Sequence, residues 1–263
     1  MERGDNAVLA VRKLADVEEL TAKYSEHALA VKLDVTNGGE RQAAARAALE
    51  KFRRVGVLAN IAGQGSLGAL EEFSSEQIRK QFEVNCFGVL ELTREILPMM
   101  RQQKGGHILN LTSIGGLASV GGFGLYCATK FAVEGFTEAL RDEVKPLGIK
   151  VTIVEPGAFR TEFAGASNVR PAQQIDDYKP VIEPLQAYLY GNDGKQLGDP
   201  HKAALAMIEV VESANPPLRM MLGADAFGLW EKKRAEIDAD VSKWRKVGED
   251  TAFDGVEVQA ISG

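Results

Sequence analysis

Short β-branched runs alternate with longer stretches of helical periodicity along this chain, and that alternation limits the possible folds more than any composition figure. NAVLAV (residues 6–11), ALAVKL (28–33), VGVLAN (55–60), HILNL (107–111), IKVTIV (149–154) and LRMML (218–222) read as strands. Between them ADVEELTAKY, GGERQAAARAALEKF, SSEQIRKQFEVNCFGVLELTREILPMM, YCATKFAVEGFTEALRDEV and DPHKAALAMIEVVES carry apolar residues at helical spacing. Largely apolar strands in such an alternation predict a parallel sheet with helices on both faces, a three-layer α/β/α arrangement. Ligands of these sheets bind beyond the carboxyl ends of the strands, so chemistry is sought just after each strand.

One stretch interrupts the pattern. From His107 to Thr129 there is no Asp, Glu, Lys or Arg, and Lys130 is the first charge after it. The run has the length of a membrane span, but ILNLTSIGGLASVGGFGLYCAT contains five glycines with Asn110, Thr112, Ser113 and Ser119. A strand followed by a glycine-rich loop accounts for it better than a helix.

Length and charge narrow the class. The 263 residues, 45% of them hydrophobic, fit a single domain, 1–263, with a large core. A net charge of −6 without a Lys/Arg block argues against a nucleic-acid partner. Cys86 and Cys127 match no zinc spacing, and His27, His107 and His201 have no ligand-like spacing, so no metal site is expected and packing roles are assigned. MERGDNAV has no apolar leader segment, which predicts a cytoplasmic protein with no membrane partner.

Tyr126 and Lys130 stand four residues apart in YCATK, on one face of a predicted helix. A cation beside a phenol favours the phenolate, which would tune a tyrosine for proton transfer near neutral pH. A core aromatic beside a solvated lysine is the plain alternative for the pair alone. After the third strand GQGSLG (63–68) is a literal GxGxxG, but ALEEFSSEQ intervenes before the next helix and Glu83 falls inside it. A dinucleotide fingerprint should open a helix at once, so a loop of mixed purpose is the better reading.

LANIAGQG, FEVNCFG, HILNLTSIGG, YCATK and VTIVEPGAFRT, in that order and spacing, resemble the short-chain dehydrogenase/reductase family. The resemblance runs from about residue 5 to residue 162 and continues weakly through LGDPHKAALA and PPLRMMLGADA. It implies a doubly wound, Rossmann-like sheet and hydride exchange between a nicotinamide cofactor and a small carbonyl or alcohol. By position, Tyr126 resembles the general acid/base, Lys130 the residue that lowers its pKa and holds the nicotinamide ribose, and Ser113 the partner of the substrate oxygen. Asn85 resembles the residue holding the water that links Lys130 to solvent. Thr161 resembles the anchor of the carboxamide, after a Pro156-Gly157 turn. Asp34 resembles the adenine contact, with Val35 beside it. Asn60, Ala62 and Gly63 stand where the family's NNAG lies, with Ile61 replacing its second Asn. The end of the first strand carries Arg12 and Lys13 before any acid, which favours NADP over NAD. The resemblance also implies a homodimer or homotetramer, with residues 86–101 and 126–145 as the usual interface.

The family's first strand and TGxxxGxG loop have no counterpart here, since the chain contains no Thr-Gly dipeptide. MERGD resembles the last turn of the helix that follows that loop, and a shortened reading frame is the expected cause. Neighbouring strands should then carry unpaired edges, and NADPH binding should weaken by about a hundredfold or more with the loss of the phosphate-binding amides. Two classes stay open: an NADP(H)-dependent oxidoreductase, and a catalytically silent binding or scaffold protein favoured only by the missing loop.

Residues 162–200 are expected to form the substrate lid, with Phe159, Phe163, Tyr178, Leu185 and Tyr188 lining a moderately apolar pocket. Residues 225–263 are read as a C-terminal helix and tail. Trp230, Ile237, Val241 and Trp244 share one face of that helix, which either packs on the domain or meets a partner helix. The tail VEVQAISG alternates apolar residues and is read as loosely held rather than as a strand filling the sheet.

Overall fold

Six strands form, each within two residues of the run that predicts it: β1 Ala7–Val11, β2 Ala28–Lys32, β3 Val57–Asn60, β4 Gly106–Leu111, β5 Ile149–Pro156 and β6 Arg219–Leu222. The helices between and after them are α1 Glu18–Lys23, α2 Gly38–Phe52, α3 Ser75–Phe82, α4 Gly88–Gln103, α5 Gly124–Val144, α6 Lys179–Gly191, α7 Pro200–Glu212 and α8 Ala224–Glu249. This computed structural model describes residues 1–165, 168–253 and 255–256. Residues 257–263 of the tail read above as loosely held therefore lie outside the described residues.

Local chemistry fixes the helix starts. Asn37 accepts the Glu40 amide at 3.1 Å at the head of α2. Ser74 and Gln77 satisfy each other's backbone amides reciprocally at the head of α3, and Asp199 caps α7 just before Pro200. The long helix expected over 74–100 is not continuous. A π-turn at Glu83–Phe87 separates α3 from α4, and the wider turn carries Asn85. Periodicity alone does not register one inserted residue, so the sequence reads as unbroken.

Every strand pairing is parallel, as expected, but the sheet is interrupted. β1 pairs with β2, β3 to β6 form a second ladder in the order β3-β4-β5-β6, and no ladder joins the two among the described residues. β1 and β3 each pair along one edge only. Exposure follows the break: Val57 on β3 is 42% exposed, whereas Ile108 on β4 and Ile153 on β5 are fully buried. Helices hold the two ladders together where hydrogen bonds do not. Leu33 after β2 and Ala45 on α2 share one apolar cluster with Leu92, Ile96 and Met100 of α4, Leu140 and Val144 of α5, and Ile108 and Val151 of the larger sheet.

No helix among the described residues is long and apolar enough to cross a membrane. The run from His107 to Thr129 becomes strand β4, a tight turn at Ile114–Gly116 and the start of α5.

A two-stranded ladder with both outer edges unpaired among the described residues should unfold locally before a central one. Amide hydrogen exchange is expected to be at least about tenfold faster in β1 and β2 than in β4 and β5. Equal protection across both ladders would show that the break costs no local stability.

Candidate active site

Helix α5 is the longest helix packed into the domain, and its buried face determines the site. Tyr126, Thr129, Lys130, Val133, Glu134 and Thr137 all turn inward on it, at the three- and four-residue spacing of one helix face. An ammonium group on such a face needs an acceptor. Lys130, 3% exposed, donates from Nζ to the Leu111 carbonyl at 2.9 Å, at the end of β4. Its Nζ lies 5.9 Å from the centre of the Tyr126 ring. Burial pulls the Lys130 pKa down to about 8, opposed by the charges of Glu134 and Cys86.

Tyr126 departs from the electrostatic expectation. Burial raises its phenol pKa, with only a partial offset from a hydrogen bond with Ser113, and no contribution from Lys130 is resolved. Desolvation dominates because the phenol is fully buried and because Lys130, its own pKa lowered by burial, loses its charge before the phenol ionises. The phenol is therefore a proton donor at neutral pH rather than a preformed phenolate.

Ser113 sits just after β4 in extended conformation. Its Oγ accepts the Gly115 amide at 3.0 Å and lies 3.4 Å from the Pro156 carbonyl at the end of β5. A methyl on Gly115 would stand 3.3 Å from Tyr126 Cε1 and 3.4 Å from Ser113 Oγ, so the turn holds the two hydroxyl-bearing side chains side by side. Asn85, fully buried in the π-turn, exchanges two hydrogen bonds with the Gln64 backbone and donates to Thr129 Oγ1 at 3.1 Å. A methyl on Gly63 would stand 3.4 Å from Lys130 Nζ and 3.5 Å from Asn85 Oδ1. The four candidates Asn85, Ser113, Tyr126 and Lys130 thus meet around the ends of β3 and β4.

The glycines of GQGSLG serve packing. No helix follows them at once; α3 begins only at Ser75. A methyl on Gly65 would come within 2.6 Å of Phe163 and 2.7 Å of Asn168, so only glycine lets the lid approach this loop. The Val169 amide donates to the Gly65 carbonyl at 2.8 Å, and the Phe163 ring meets Tyr126 edge-on at 5.2 Å. Of the five aromatic and aliphatic residues expected to line a pocket, Phe163 alone makes a ring contact with Tyr126. Tyr178, on the turn just before α6, donates to Glu71, and Tyr188 on the outer face of α6 is 66% exposed.

The remaining candidates are spread along the strand ends. Arg12 and Lys13 are exposed after β1, and Asp34 lies within electrostatic reach of Arg12. Asp34 Oδ1 accepts both the amide and the hydroxyl of Thr36, which holds its pKa below the usual carboxylate value. Val35 packs against Gly88 of α4. The Asn60 side chain points into the core, donating to Thr93 and Asn110, so only its backbone is free for a ligand. Ala62 and Gly63 are exposed beside Lys130. Gly157 lies against Asp225 of α8, and Thr161 is exposed.

Sequence reading missed a charged cluster behind Lys130. Arg219 of β6 contacts Glu134 at 3.1 Å, Glu138 at 2.9 Å and Glu155 at 3.1 Å, and Thr112 donates to Glu134 at 2.6 Å. Burial and then the neighbouring Glu134 charge push the Glu155 carboxyl pKa upward. The only sequence signal is Glu134 one turn after Lys130; Glu155 hides inside an otherwise apolar strand.

A model of the short chain dehydrogenase family matches residues 1–172. The chain belongs to the short-chain dehydrogenases. It is 33% identical over 248 residues to an oxidoreductase of Botryotinia fuckeliana, covering 94% of this chain and 90% of that protein. A short-chain dehydrogenase from Streptomyces avermitilis superposes with a TM-score of 0.89 at 37% identity, covering 95% of this chain and 92% of the other. A member from Burkholderia phymatum, solved in complex with NAD, superposes with a TM-score of 0.73 at 26% identity over 97% and 89%. Within this short-chain dehydrogenase the positions of Asn85, Ser113, Tyr126 and Lys130 form one connected site.

Between the ordinary carboxylate pKa and its raised folded value, Glu155 keeps a proton in the folded chain that the unfolded chain has released. Its contribution to stability therefore falls as pH rises through that window. Glu155→Gln should raise the Tm at neutral and mildly alkaline pH while changing it little near pH 4. A Tm difference independent of pH would show that Glu155 is ionised in the fold.

Proposed function

We propose that this short-chain dehydrogenase exchanges hydride between NADP(H) and a ketone, aldehyde or secondary alcohol, with Tyr126 as general acid/base. The observation that carries the reading is the buried pair Tyr126 and Lys130 on one face of α5, with Ser113 at the phenol and Asn85 beside the ammonium. When bound, the nicotinamide supplies or accepts the hydride, and the chain supplies the proton and the orientation.

In the reducing direction a carbonyl oxygen accepts hydrogen bonds from Ser113 Oγ and Tyr126 Oη. As negative charge develops on that oxygen, Tyr126 passes it a proton. The resulting phenolate is held by the Ser113 hydroxyl and by the positive charge of Lys130. Asn85 braces the Gln64 backbone and Thr129, which fixes the helix face that carries both groups. The edge-on contact of Phe163 with the Tyr126 ring keeps water from that side. Lys130 Nζ, on the same side of Gly63 as Asn85 Oδ1, provides the protonic return path and a donor for a ribose hydroxyl. Arg12 and Lys13, exposed after β1, suit a 2′-phosphate and underlie the preference for NADP over NAD.

A catalytically silent scaffold is the second reading. It is supported by the gap between the edges of β1 and β3, which no strand or glycine-rich loop bridges among the described residues. A nucleotide's pyrophosphate would have fewer backbone amides to meet there.

Tyr126→Phe should lower kcat by at least about a hundredfold while leaving NADPH binding, followed by fluorescence, nearly unchanged, since the ring stays and the donor goes. Retained turnover would remove Tyr126 from this role, and absence of turnover in the unaltered chain with every carbonyl tried would favour the scaffold. Arg12→Asp should shift kcat/KM from NADP towards NAD. An unchanged ratio would mean that Arg12 serves only the solvent.

A further inference from the structure

Helix α8 leaves the body of the protein and continues uncovered. Its first turns pack against β6 and the turn at Ile114–Gly116, with Ala226 fully buried. Every residue from Arg234 to Glu249 is exposed, a free segment about 24 Å long at 1.5 Å per residue. Three of the four residues of the stripe read in the sequence, Ile237, Val241 and Trp244, fall on this segment, while Trp230 lies before it and is half-buried. Ile237 is 42% exposed, Val241 59% and Trp244 61%, so the expectation that the stripe packs on its own domain is not met.

We propose that this stripe pairs in antiparallel fashion with the α8 of a second copy of this chain. Trp230, Ile237, Val241, Trp244 and Gly248 follow alternating spacings of seven, four, three and four, the seam of a two-helix coiled coil. In an antiparallel pair centred between Val241 and Trp244, Val241 meets the partner's Trp244 and the reverse. Ile237 then meets the partner's Gly248, whose missing side chain leaves room beside the indole. That centre lies within one residue of the midpoint of the free segment, so the two exposed stretches overlap along nearly their whole length.

Charge favours the same arrangement. Asp238 flanks the seam on the side of the partner's Arg245, and the contact occurs twice by symmetry. Within one copy Arg245 reaches only the exposed Glu249 at 2.7 Å, a pair that costs little to exchange. A parallel pair would instead set Arg234 against the partner's Arg234 inside the seam. A lipid surface is the weaker match: Glu236, Asp238 and Asp240 border the stripe and would meet anionic headgroups.

Sedimentation velocity over a concentration series tests the pairing without reference to activity, so its failure is separate from failure of the proposed reaction. The seam joins copies not otherwise in contact, so Trp244→Asp should halve the limiting mass, with far-ultraviolet circular dichroism confirming the fold. Asp238→Arg and Arg245→Asp should each weaken assembly by about tenfold or more, because each puts like charges opposite one another twice. The double variant D238R/R245D should restore it. An unchanged mass in Trp244→Asp overturns the proposal, and its loss of co-sedimentation with phosphatidylglycerol vesicles would assign the stripe to lipid instead. Failure of the double variant to recover overturns the antiparallel register.

Discussion

Lys130 is a charge inside the protein, and much of the surrounding structure is arranged to tolerate it. An ammonium 3% exposed is costly without partners, and here the Leu111 carbonyl and the charge of Glu134 supply them. The Leu111 hydrogen bond ties α5 to the end of β4. Once α5 is fixed, Tyr126 faces Ser113 and Glu134 faces Arg219. A single residue with an unfavourable location therefore sets the register of a helix and a sheet. The pKa of about 8 shows the cost of that location.

Around this centre, close approach is achieved by absence of side chains. A methyl on Gly65 would displace Phe163 and one on Gly115 would crowd Cys127 and Tyr126, while one on Gly63 would stand in ordinary contact with Lys130 and Asn85. The lid reaches Tyr126 through Phe163 because Gly65 leaves space, and the π-turn brings Asn85 to the same place by one inserted residue. At the other end of the molecule, the sheet is divided between β2-β1 and β3-β4-β5-β6, and apolar contacts from α2 and α4 carry the connection. The candidates Ser113, Tyr126 and Lys130 thus gather on the continuous ladder and α5, while Arg12, Lys13 and Asp34 sit beside the smaller one.

The sequence by itself determined the alternation of strands and helices, the parallel pairing and the candidates Asn85, Ser113, Tyr126 and Lys130, because these depend on local periodicity and on motifs in a fixed order. It could not show the break between β1 and β3, since backbone pairing is a contact between distant segments. Nor could it show the sign of the Tyr126 shift: the spacing to Lys130 announced proximity, but burial of both groups decided that desolvation outweighs their attraction. Glu155 looked like one polar residue in a strand, and only packing placed it against Glu134 and Arg219. The stripe of α8 was legible as amphipathic, yet periodicity is the same whether a face is buried or bare. Tertiary structure decided that question, because exposure depends on what the rest of the chain can reach, and no described residue reaches Val241 or Trp244 closely enough to cover them.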